Sequence, residues 1–241
     1  MSNIRFNPGL ALLMVFLASL PGCGGGDLGL PSSSGEGVEL SIVDGNGQVG
    51  TVGQELPDPL VVSVQSGGTP IPGHEVAFVL AGDAGSGRLD PDTAVTGDDG
   101  RAIAHLVLGP EAGRYEVQAR LVVAEPNPPP TAVFEASANA GEPDTLRALT
   151  VLSQPGRRGE AVAENPVVLV VDHFGNPVPG TPVEWTVTGG GGEVSGAGAA
   201  DGEGKAAAVW TLGSGIGLQR LTARVEGAHG SPVTFTATVL F

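Results

Sequence analysis

The sequence predicts an all-β chain of two tandem antiparallel β-sandwich domains. Three observations lead there: short alternating apolar runs, frequent Gly and Pro turns, and an internal duplication. Of 241 residues, 40 are Gly and 20 Pro, while 41% are hydrophobic. That apolar content, with no strict glycine period, excludes both collagen and a disordered chain, and favours many short strands joined by tight turns. The length suits two domains of ordinary size.

Strand-like alternation in the first half runs through Leu60–Val64, Val76–Leu80, Ile103–Leu108 and Tyr115–Ala119, each spaced so that one face is apolar. Pro72-Gly73 and Asp98-Asp99-Gly100 supply turns between them, because these residues tolerate or preset turn dihedrals. Outside the N-terminal segment no stretch carries a 3.6-residue apolar period, so helix content is expected near zero.

The duplication follows from comparing the chain with itself. Pro59–Val62 matches Pro166–Leu169 and Pro70–Gly73 matches Pro177–Gly180, both at an offset of 107. Gly100–Ala102 matches Gly204–Ala206 at 104, as do Leu108, Gly109 and Gly113 with Leu212, Gly213 and Gly217. Phe134–Ala136 matches Phe235–Ala237 at 101. Similarity over about 95 residues means a duplicated domain, since solenoid repeats are shorter. The first domain is placed at 37–140, a linker at 141–146 and the second domain at 147–241. The segment around the linker, Asn139 to Arg147, is short and contains Pro143, so limited bending is expected. Glu125–Pro130 aligns with Gly227–Gly230 and is read as a loop before a last strand.

Residues 1–22 read as a signal peptide, with Arg5 ahead of the apolar run Leu10–Leu20. That run is too short for a hydrocarbon layer of about 30 Å and suits an export signal. Leu20-Pro21-Gly22-Cys23 resembles the bacterial lipobox, which implies lipidation of Cys23, a palmitate-type anchor and a new N-terminus there. Cys23 is the one cysteine of the chain, and a lone thiol in an exported protein points to a special chemical fate or intermolecular pairing. Residues 23–36 are Gly- and Ser-rich and read as a lipidated flexible tether. Gly24 follows the cysteine where Asp would signal inner-membrane retention, so the resemblance implies an outer-membrane location in the cell envelope.

The order G-x-V-G-x-x-x-P-L-x-V-x-V, P-x-P-G-x-x-V-x-F, D-x-x-G-x-A, L-G-x-x-x-G-x-x-x-V-x-A resembles the group 1 bacterial immunoglobulin-like domain, the repeat of invasin and intimin. The resemblance covers Glu36 to Ala140 and Leu146 to Phe241. It implies two immunoglobulin-like sandwiches used as a surface spacer or adhesive rod. Neither the outer-membrane barrel nor the distal lectin-like domain of invasins and intimins is recognisable, so no receptor residue carries over.

Formal charge is -15, which argues against nucleic acid as a partner. Gly45–Gly50 fits G-x-G-x-x-G, but no helix follows to aim amides at a pyrophosphate, and the run reads as a turn. His74, His105, His173 and His229 never pair at metal-ligand spacing and show no evident serine or carboxylate partner. Ser86, Ser195 and Ser214 lack the flanking glycines of a nucleophile elbow. Asp90-Pro91-Asp92 and Asp98-Asp99 lack the spaced carboxylates of a calcium hand, and calcium at the domain junction is left open. Aligning His105 with Val209 and Leu106 with Trp210 requires one of the two positions to face outward. Trp185 aligns with Phe78, on the face of Val183 and Val187, and is expected in the core.

No catalytic residue, metal ligand or cofactor is therefore expected, and the protein is read as no enzyme. The expected role is a non-enzymatic envelope lipoprotein serving as spacer, structural or adhesion protein. Its partners would be the membrane, through the lipid, and an envelope or host surface protein. The alternative is a protein- or glycan-binding module using loops such as Gly189–Gly192 or Pro128–Pro130. Aromatic content of 4% leaves few rings for sugar stacking.

Overall fold

In the computed structural model the described residues are 37–81, 87–123 and 128–240. Every regular element among them is a strand. The first ten are β1 (Val38–Asp44), β2 (Gln48–Thr51), β3 (Leu60–Ser66), β4 (Thr69–Pro70), β5 (Glu75–Ala81), β6 (Arg88–Asp90), β7 (Thr93–Val95), β8 (Arg101–Val107), β9 (Gly113–Leu121) and β10 (Thr131–Asn139). They form two sheets, β1-β3-β8-β6 with β4 hanging on β3, and β2-β10-β9-β5-β7. Alternation drives the assembly: β8 and β10 bury every second residue, and the inward sets meet in one core around Phe78, Leu106, Tyr115, Leu121 and Phe134.

The second set is β11 (Thr145–Ala148), β12 (Ser153–Gly156), β13 (Val167–Val171), β14 (Glu184–Gly189), β15 (Gly192–Ser195), β16 (Lys205–Ala207), β17 (Val209–Leu212), β18 (Gly217–Arg224) and β19 (Val233–Val239). It repeats the layout as β11-β13-β16 with β15-β17 on one side, and β12-β19-β18-β14 on the other. A separate core gathers around Val168, Val170, Trp210, Leu221 and Phe235. The chain therefore carries two tandem immunoglobulin-like sandwiches. One strand pair in each runs parallel, β2 with β10 and β12 with β19. In both cases the chain crosses from one sheet to the other early, and the short strand lands beside the last one.

The cross-strand register corrects the repeat alignment. Val62 lies opposite Ala102 and Val168 opposite Ala206, so β3 and β13 correspond at an offset of 106 rather than 107. A slip of one residue exchanges the two faces of a strand. Leu60–Val64 and Val167–Val171 are nearly apolar throughout and accept either register on letter matches alone. Pro70 and Pro177 do correspond at 107, since each would meet a Cβ on the matching turn glycine, Gly100 or Gly204, at 2.9 Å. The extra residue of the second sandwich thus falls between Val171 and Pro177. Gly100 (φ 72°) and Gly204 (φ 71°) are required, because a Cβ would press on the Val64 or Val170 carbonyl at 2.7 Å.

The two copies also share a side-chain tether. Gln48 closes two bonds with the Asp58 backbone (2.8 and 2.9 Å) and Gln154 does the same with Glu164 (2.8 and 3.0 Å). Each amide ties the segment that follows β2 or β12 back to the start of that strand.

Trp210, at 0% exposure, is the tryptophan that fills the second core. Trp185 points inward but is half-buried, stacked on Phe235 at 6.0 Å. The aligned positions Leu106 and Trp210 face in, and His105 and Val209 face out. Replacing Trp210 by Ala should cost about 3–5 kcal/mol, read as a lowered urea midpoint, with a smaller loss for Trp185→Ala. Equal losses from the two would overturn this ranking.

Candidate functional site

Asn139 ends β10 and Thr145 opens β11, so residues 140–144 join the sandwiches. The joint is clasped by the β13–β14 loop, where the inserted residue lies. Asp172 follows β13 and is 2% exposed. Its Oδ1 accepts bonds from the Phe174 and Asn176 amides at 2.9 and 2.8 Å, which closes the loop on itself. Its Oδ2 accepts from the Gly141 amide at 2.8 Å and from Asn176 Nδ2 at 2.9 Å. The carboxylate therefore holds the linker and orients the Asn176 side chain together.

Asn176 then crosses to the first sandwich. Its Nδ2 donates to the Pro110 carbonyl at 2.7 Å, and its Oδ1 accepts from the Ala112 amide at 2.9 Å. Phe174, 51% exposed, lays its ring over Gly53, where a Cβ would come within 3.1 Å of Cζ. His173 meets Phe174 edge-on at 5.4 Å. The linker's far end is stitched to its own sandwich, with Asp144 donating to Val171 and accepting from His229 at 2.9 and 2.6 Å. The sandwiches belong to one compact unit, Glu36–Phe241.

Beside the clasp runs an open groove of about 620 Å³, lined by Thr51, Val52 and Gln54 from the first sandwich, Glu142, Pro143 and Asp144 from the linker, and Phe174. Burial pushes the Asp172 carboxyl up, but bonds from the Asn176 side chain and from the Gly141, Asn176 and Phe174 amides outweigh it and hold it below the ordinary carboxylate range. Both of its oxygens are committed to protein donors.

The residues weighed in the sequence fall elsewhere. Cys23 lies outside the described residues. Among the described residues, His74, His105, His173 and His229 included, no group of three or more His, Cys, Asp or Glu is placed to hold a metal ion. His105 does have a carboxylate partner, contrary to expectation, with Nδ1 2.8 Å from Glu55 Oε1. Both are solvent-exposed, and residues fifty apart in sequence give no local signal. Gly45–Gly47 form the turn between β1 and β2, and Gln48–Gly50 continue into β2.

The Gly189–Gly192 run is not an open loop. Gly190, Gly191 and Gly192 all have positive φ, and a Cβ on Gly190 or Gly192 would collide with Gln219 or the Gly213 amide. Gln219, 1% exposed, ties that side together through Gly213 and Gly215. Residues 128–130 precede β10 as expected for a loop, and 124–127 lie outside the described residues. The missed clasp had one signal. The second copy reads Asp172-His173-Phe174-Gly175-Asn176 where the first reads Ser66-Gly67-Gly68-Thr69.

No protein-family profile matches the chain, and no curated protein matches it. Among solved structures it is similar to FdeC, an Escherichia coli adhesin, at 21% identity and a TM-score of 0.50, covering 83% of this chain and 64% of that one. It is similar to Yersinia pseudotuberculosis InvD at 15% identity and a TM-score of 0.50, covering 84% and 57%. Invasin, an integrin-binding bacterial protein, matches at 18% identity over 84% of this chain and 39% of its own, with a TM-score of 0.36. The chain thus spans less than two thirds of these proteins, and what it shares with FdeC and InvD is the fold.

Folding lowers the Asp172 pKa, so the unfolded chain takes up the proton first as pH falls. The stability owed to the ionised clasp is complete above the unfolded carboxylate value near 3.8 and is lost as pH drops through the lower folded value. The stability gap between the native chain and Asp172→Asn should be wide at pH 7 and close below that value. A gap independent of pH would show that the charge does not hold the joint.

Proposed function

We propose that the protein is a non-enzymatic bacterial envelope protein of the adhesin type, in which two clasped immunoglobulin-like sandwiches act as a spacer that carries a binding surface away from the membrane. The observation that carries the reading is the joint. A buried carboxylate and one side-chain amide hold the sandwiches through backbone groups, an arrangement that serves constant spacing and leaves no reactive group poised for chemistry. The fold held in common with FdeC, an adhesin, supports the same reading. The partner is an envelope or host surface protein, and nucleic acid is disfavoured by a formal charge of -15.

The anchor belongs to this proposal. Residues 1–22 serve as a lipoprotein signal peptide, Cys23 carries the lipid, and the protein sits in the outer membrane behind the 23–36 tether. Two or more acyl chains give stable attachment where one does not. Cys23→Ala should move the protein from the membrane fraction to the soluble one and abolish the acyl mass on its N-terminal peptide. An unmodified Cys23 peptide from native membranes would sink this part alone.

Spacing is tested by spin labels, one on each sandwich. A single narrow distance distribution is expected for the native chain, and a broadened one for Asn176→Ala, with unfolding midpoints of the two cores little changed. A broad native distribution would overturn the spacer. The rival reading, a binding module, is favoured only by Phe174, the exposed ring at the groove. Saturable capture of an envelope or host protein, lost on Phe174→Ala with the distance distribution intact, would select it.

A further inference from the structure

The joint uses only backbone on the receiving side: the Pro110 carbonyl, the Ala112 amide and the open face of Gly53. Backbone receivers do not depend on side-chain identity, so the duplicated sandwich must present them again at its own far end. It does so at matching positions. The β8–β9 loop, Gly109 to Gly113, has the same length as Gly213 to Gly217 after β17, and both end on a positive-φ glycine, Gly113 (139°) and Gly217 (99°). Each loop is fixed from beneath at the same carbonyl. Tyr115 donates its hydroxyl to Glu111 at 2.9 Å, and Gln219 donates Nε2 to Gly215 at 2.9 Å. Both donors are 1% exposed.

With the loop so held, Ser214 and Ile216 take the places of Pro110 and Ala112. Both are exposed, and among the described residues no hydrogen bond uses the Ser214 carbonyl or the Ile216 amide. Gly159 takes the place of Gly53: it has the same φ of 74°, its amide bonds across to Leu212, one residue before the counterpart of the Gly109 that Gly53 reaches, and a Cβ there would meet nothing within 4 Å. One difference is informative. Thr51 and Val52 at the first receiver face the linker acids Glu142 and Asp144 across the groove. At the second they are replaced by Arg157 and Arg158, exposed and in no ion pair among the described residues.

We infer that the far pole of the second sandwich is a receiver for another immunoglobulin-like domain, one whose leading loop carries Asp-x-x-Gly-Asn and whose approach segment is acidic. The asparagine amide bridges Ser214 and Ile216, an apolar ring covers Gly159, and the acidic approach pairs with Arg157 and Arg158. Charge complementarity there adds steering and orientation to a small contact. The inference rests on the geometry of the native joint and not on the adhesin reading.

The test extends the chain. A second copy of residues 140–241 is fused after Leu240, which corresponds to Asn139, and spin labels are placed across the new joint and across the native one. The new joint should give one narrow distance peak like the native one. That peak should be lost on Asn176→Ala in the appended copy only, and also on Arg158→Glu in the middle sandwich, which leaves the appended loop intact. Melting of the appended sandwich, followed in the same samples, confirms that it is folded in each. A broad distribution at the new joint in the unaltered fusion, beside a narrow native peak, would overturn the inference and leave the spacer untouched. Sedimentation of the unextended chain supplies the other outcome. Concentration-dependent association abolished by Arg158→Glu would assign the pole to a second copy of this chain, whose leading loop lacks the Asp and Asn, and would overturn the loop requirement.

Discussion

The joint depends on a carboxylate that is almost fully buried yet charged. Taking Asp172 out of water is costly, and the cost is met only because four protein donors converge on its two oxygens. Those donors come from three places, its own loop, the linker and the Asn176 side chain, so one ionised group forces all three into register. Asn176, held from behind by this carboxylate, then reaches Pro110 and Ala112 with its amide already oriented. Preorganisation of this kind makes two hydrogen bonds between domains worth more than the same pair formed from a free side chain.

Around that constraint the sandwiches are built alike but filled differently. Phe78 and Trp185 share a position, as do Leu106 and Trp210, and Tyr115 and Gln219. The last pair shows a structural role passing between unlike side chains. A phenol and a carboxamide each occupy a sealed site beneath the same loop and each donate to the same carbonyl. In the second sandwich Gly190 lies against Gln219 and Gly192 against Thr211 and Gly213, which explains these two glycines without a ligand.

How much was legible depended on the distance over which each feature is encoded. Alternation, turn glycines and the copied motifs are local, and they carried the all-β class and the two cores. Gly100 and Gly204 were legible as turn residues, and the structure adds that a carbonyl at 2.7 Å from any Cβ enforces them. The β3–β13 register was misread because an unbroken apolar strand carries no phase. The His105–Glu55 contact was missed because partners on two strands have no fixed spacing.

The sequence by itself determined the strand pattern, the duplication, the turn chemistry and the acidic surface, each a consequence of residue order over a few positions. Only the tertiary structure decided which tryptophan is sealed, where the inserted residue goes and what that residue does. The physical reason is common to all three. Burial, hydrogen-bond convergence on Asp172 and the meeting of Asn176 with Pro110 are properties of groups brought together across sheets and across the joint. No local pattern in the chain records them.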